Sequence, residues 1–139
     1  MELSATELRI GNLVSFNHKW DILCTVKQIQ QDDIRVSFET QPNLMNGLTT
    51  HPNNYIAIRL TEEWLINFGF EKAKHSHGYD CYVKDGFDFD IVSHGRYWVL
   101  AIYTDESCTD SLYFAHGRFE YVHQLQNLYF ALTGQELTI

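Results

Sequence analysis

Basic side chains are scarce in this sequence: ten lysines and arginines stand against eighteen aspartates and glutamates, for a net charge of −8 with the histidines neutral. The deficit is uneven. Residues 1–60 carry five basic and six acidic groups, while residues 61–139 carry five and twelve, so the second half holds −7 of the total. A protein that grips nucleic acid by its phosphates needs the opposite sign across its contact face, which argues against direct nucleic-acid binding. Cysteine is sparse too. Cys24, Cys81 and Cys108 are odd in number, lack Cys-x-x-Cys spacing and sit in or beside apolar strand-like stretches, so reduced thiols in a cytoplasmic protein are expected. No apolar run approaches the roughly 18–20 residues that cross a bilayer, and Met1–Ile10 lacks the order of a signal peptide. Neither membrane insertion nor export is expected. Also missing are a Gly-x-Ser-x-Gly elbow, a phosphate loop and a Gly-x-Gly-x-x-Gly turn, so enzyme activity has no motif behind it and no cofactor is expected.

What is present is the composition of a folded chain: 45% hydrophobic and 14% aromatic residues over a length that fits one domain or two small subdomains. Residues 13–16, 22–30 and 34–38 alternate or run apolar with many β-branched side chains and read as strands. The stretch Thr40–Asn54, with both prolines, Gly47 and four asparagines, reads as a surface loop before a returning strand at 55–60. Three short strands and a fourth that returns predict a small SH3-like barrel or meander over residues 1–60.

Residues 61–139 predict a second subdomain of helix, four strands and helix, giving an α+β protein. Thr61 is placed to cap a helix whose first turn carries Glu62 and Glu63, and Gly69 stops it with Phe70 positioned to pack back on Leu65. Strands follow at about 79–84, 87–93, 97–104 and 111–115, broken by Asp85-Gly86 and His94-Gly95. Alternation assigns Phe87, Phe89, Ile91, Trp98, Leu100, Ile102, Leu112 and Phe114 to a core face. Val122, Leu125, Leu128, Tyr129 and Leu132 recur every three or four residues, which predicts a helix from about Phe119 to Thr133 lying across this sheet, with His123 on its surface or at the core edge.

Three segments, ELRIGNLV at 7–14, RLTEEWLINFGFEK at 59–72 and YVHQLQNLYFALTGQEL at 121–137, resemble a family of short uncharacterised proteins of Bacteroides-type gut bacteria and their prophages or mobile elements. The resemblance implies a bacterial cytoplasmic setting and no particular activity or ligand.

The most distinctive pattern is a histidine-glycine pair used three times, at His77-Gly78, His94-Gly95 and His116-Gly117, with Arg96 and Arg118 beside the last two. In a four-strand meander these turns fall at one end of the sheet, so His77, His94, Arg96, His116 and Arg118 form a candidate rim for an anion or a partner. Their sites are about two strands apart, roughly 10 Å, too far for all three imidazoles to converge on one metal ion. His75, His77, Asp80 and Cys81 make only a loose metal-like cluster. Tyr82, Asp88, Asp90, Tyr97, Tyr103 and Tyr113 form a second candidate surface, because tyrosine among carboxylates offers a large contact area at low entropic cost. The leading expectation is a small acidic accessory protein acting through a protein partner or self-association. Its competitors are an acidic mimic of nucleic acid that occupies a DNA-binding protein, and a hydrolase or metal-binding protein using the His-Gly end or the Asp88/Asp90 pair.

Overall fold

The architecture was derived from a computed structural model, which describes residues 3–18, 20–30, 33–38, 48–50, 54–74, 80–103, 111–113 and 118–139. The side chains of residues 17, 18, 20, 21, 38, 48–50, 103 and 111–113 lie outside that description. The protein is α+β, with two antiparallel five-stranded sheets and two helices. The chain divides into two units: residues 1–59 with 121–136, and residues 60–120 with 137–139. Among the described residues no helix is long and apolar enough to cross a membrane.

In the first unit a 3-10 turn, Ala5–Glu7, precedes β1 (Leu13–His18), β2 (Trp20–Gln30), β3 (Asp33–Phe38), β4 (Leu48–Thr50) and β5 (Tyr55–Ile56). The order β4-β3-β2-β1-β5 is an open meander whose last strand returns to the first. A closed SH3-like barrel is therefore not what the described residues form. The stretch expected to be loop holds β4, which pairs with β3 through Ile34↔Thr50 and Val36↔Leu48. Cross-strand partners share a face, so Val14 and Cys24 point one way and Leu13 and Thr25 the other. The first face builds a core of Leu3, Leu8, Val14, Cys24, Val26, Ile34, Val36 and Tyr55.

The second helix, α2 (Val122–Thr133), corrects the largest sequence expectation. It groups with the first unit, where it packs on β1. Its polar side chains do the anchoring. Gln126 Oε1 accepts from the Leu13 amide at 2.8 Å while its Nε2 donates to the Gly11 carbonyl at 3.2 Å. Asn127 donates to the Glu7 carbonyl at 2.9 Å and accepts from Asn12 Nδ2 at 2.9 Å. The Val122 amide donates to the Ile58 carbonyl at 2.9 Å. Near the C-terminal end the Arg9 guanidinium lies 3.6 Å from the Phe130 ring centre and reaches Glu136 at 3.1 Å. An amphipathic stripe fixes which residues of a helix are covered; it carries no information on which sheet covers them.

The second unit opens on α1 (Glu62–Asn67). Its start is extended at Thr61 as expected, but the Thr61 side chain makes no capping hydrogen bond. Its end follows the glycine prediction: Gly69 has φ of +81°, and the Phe70 amide turns back to the Leu65 carbonyl at 3.0 Å. Then come β6 (Glu71–Lys74), β7 (Asp80–Lys84), β8 (Phe87–His94), β9 (Tyr97–Tyr103) and β10 (Ser111–Tyr113) in a simple meander. β6 had no strand signature because an edge strand can be charged. Lys72 on it bridges Glu62 at 3.1 Å and Asp80 at 3.0 Å. Both faces of this sheet are covered. Phe70 meets Phe87 edge-on at 6.0 Å on one side, where Ile91 and Leu100 are also buried. Cys81, Val92, Val99 and Ala101 cluster on the other.

Candidate functional site

The two-residue turn between β8 and β9 is Gly95-Arg96, with Gly95 at φ of +73°, a conformation that glycine adopts without strain. It closes on the pair His94↔Tyr97, which brings the two rings onto one face. They stack with centroids 5.7 Å apart and planes within 3°. A separate bridge positions the cation. Trp98 and Phe119 exchange two backbone hydrogen bonds, at 2.8 and 3.0 Å, and this places the Arg118 guanidinium 4.8 Å over the Tyr97 ring. The bridge is itself fixed because Trp98 Nε1 donates to the Leu60 carbonyl at 3.1 Å.

The result is an exposed rim in which Tyr97, half-buried, is flanked by His94 and Arg118, with Arg96 exposed at the turn. A guanidinium laid on a ring keeps its donors in its own plane, where a carboxylate or phosphate can take two at once. An imidazole beside it adds a further donor. His77 and His116, the other two histidines of the sequence pattern, lie outside the described residues. So do His75 and the end of the fourth expected strand. No group of three metal-ligating side chains occurs among the described residues.

The tyrosine-carboxylate surface is not one surface. A two-residue turn at Asp85-Gly86 pairs Lys84 with Phe87, so Tyr82 shares the phenylalanine face and pairs with Ile91. It is 3% exposed, with its ring 5.5 Å from that of Trp98 and burial raising its pKa. Tyr82 is core, and its assignment to a partner surface is corrected. Asp88, exposed, and Asp90, half-buried, do lie on the Tyr97 side of β8 by alternation. Tyr103 and Tyr113 take their register positions opposite Ser111 and Ala101, and their side chains are outside the description.

His123 was expected at the surface or core edge of α2. The structure buries it to 1% exposure, and among the described residues neither ring nitrogen has a hydrogen-bond partner. Each such unmade bond costs roughly 1–3 kcal/mol, which sets this residue apart from an ordinary core histidine. The sequence did hold one hint: His123 and Gln126 are polar at a spacing of three on the buried stripe.

No protein-family model matches the chain, and no curated protein or solved structure matches it either. The geometry of the rim therefore stands alone as the basis for a functional reading.

Proposed function

We propose that this protein is a non-enzymatic binding module of the bacterial cytoplasm, in a host or prophage setting, that grips an acidic segment of a protein partner through the His94–Tyr97–Arg118 stack. The stack is the observation that carries the reading. It is exposed and preorganised, and it presents two arginines and a histidine at one hairpin of a chain whose net charge is −8. Two arginines are too few to hold a nucleic-acid backbone on so acidic a protein, whereas complementary charge against a short acidic peptide gives both orientation and a faster encounter. On its strand order we read the first sheet as an incomplete SH3-like unit that supports the fold rather than the contact.

The test is capture from a bacterial lysate by the immobilised protein, quantified by mass spectrometry, beside an Arg96→Ala/Arg118→Ala variant matched for circular dichroism and melting temperature. The captured component is then purified and titrated at two salt concentrations. A partner whose affinity falls at least about tenfold in the variant, and weakens with salt, supports the proposal. Equal capture by both proteins overturns it. If the equally captured component is a DNA-binding protein, the acidic-mimic reading takes its place.

A further inference from the structure

We propose that the docking of α2 on the first sheet is acid-labile, with His123 as the group whose protonation frees the first turns of the helix. The inference concerns the first unit alone and does not depend on the binding rim.

His123 is the second residue of α2 and is 1% exposed, with both ring nitrogens unpartnered among the described residues. A neutral imidazole needs one donor and one acceptor partner, and it survives their loss as a polar group in a dry place. An imidazolium there would need two acceptors and a counter-charge.

The described residues supply little of either. From the 3-10 turn, Glu7 is the acidic group whose field reaches the ring and favours its charge. Its Oε2, however, is held by the Ser4 amide at 3.0 Å. From the segment after β5, Arg59 lies 5.8 Å over Tyr121, whose ring stacks on His123 with centroids 6.0 Å apart. Arg9, on the segment before β1, is engaged by Glu136 and Phe130. Residues 13–16 of β1 carry no titratable side chain.

Burial lowers the His123 pKa from its ordinary value near 6.5, and the Glu7 field only partly offsets this. The undocked helix therefore binds more protons than the docked one, so docking is at full strength above about pH 6.5 and weakens as pH falls through the lowered value. The core of Leu3, Val14, Cys24, Val26, Ile34 and Val36 contains no residue of α2. Acid is thus expected to loosen the helix before it dissolves the sheet.

Hydrogen exchange of the intact protein, read by mass spectrometry between pH 7.5 and 5.0 and corrected for intrinsic rates, tests this directly. Peptides covering residues 121–136 are expected to lose protection by up to about tenfold per pH unit below 6.5, while peptides covering β8 and β9 do not. A His123→Leu variant should abolish the pH dependence. Unchanged protection of α2 across this range, or the same loss in the variant, overturns the proposal. A nitrogen-15 titration of the wild-type ring needs no variant: a pKa at or above the ordinary value also overturns it, and a depressed one supports it.

Discussion

Five polar side chains are buried among the described residues, Asn12, Ser15, Thr25, His123 and Gln126, and all belong to the first unit, beside two buried rings, Tyr55 and Tyr129; the second buries more rings, Phe68, Phe70, Tyr82, Phe87, Trp98 and Phe119. The difference is one of what specifies the packing. Amide and imidazole groups accept few geometries, so Gln126 and Asn127 fix the register of α2 against residues 7–13. Rings in edge-on contact tolerate small shifts and contribute mainly area. The first unit should therefore be sensitive to pH and to single polar changes, and the second to loss of volume.

The largest expected effect tests the second half of that statement. Trp98→Ala removes a ring packed on Tyr82 and the donor to the Leu60 carbonyl, and should cost about 3–5 kcal/mol in urea unfolding. A smaller loss than any polar change in the first unit would break the contrast. Next comes Gln126→Ala, which strands the Leu13 amide and the Gly11 carbonyl together, and should cost about 2 kcal/mol with exchange of α2 rising first. Gly69→Ala should cost about 1–2 kcal/mol by thermal melting. The residue sits at positive φ, and an added Cβ would meet Lys84 Nζ at 2.8 Å. The smallest effect is expected of Arg9→Met, about 0.5 kcal/mol at low salt, shrinking as salt rises, since the Glu136 pair is partly exposed. A salt-independent loss would assign Arg9 to packing on Phe130 alone.

Elements whose ends are written in local chemistry could be read from the sequence. Thr61-Glu62-Glu63 and Gly69-Phe70 bracket α1, and the alternation from Phe87 to Ile91 and from Trp98 to Ile102 marks β8 and β9. Edge strands escaped this logic. Glu71–Lys74 bears no apolar alternation because one edge faces outward, and Leu48–Thr50 is too short to stand out of a polar stretch. Tyr82 was assigned to the wrong face because strand parity is inherited across a turn, and the pairing of Lys84 with Phe87 carries it to the aromatic side. At the rim, His94 and Arg118 could be placed near one end of a meander from the order of the turns alone. Their shared seat on Tyr97 depends on the Trp98–Phe119 bridge, a contact between segments with no common periodicity. His123 stayed hidden for a different reason: a residue's environment in a helix is set by what docks there, and the docking partner lies more than a hundred residues away.

That separation bears on the order of events during synthesis. The whole of residues 60–120 intervenes between β1 and the helix that completes its unit, so the strands of the first sheet leave the ribosome long before α2 exists. The second unit, whose strand pairings join sequence neighbours, can fold while the first is still waiting. A chain cut after residue 120 would contain every strand of the protein and still leave the Leu13 amide without the glutamine that holds it.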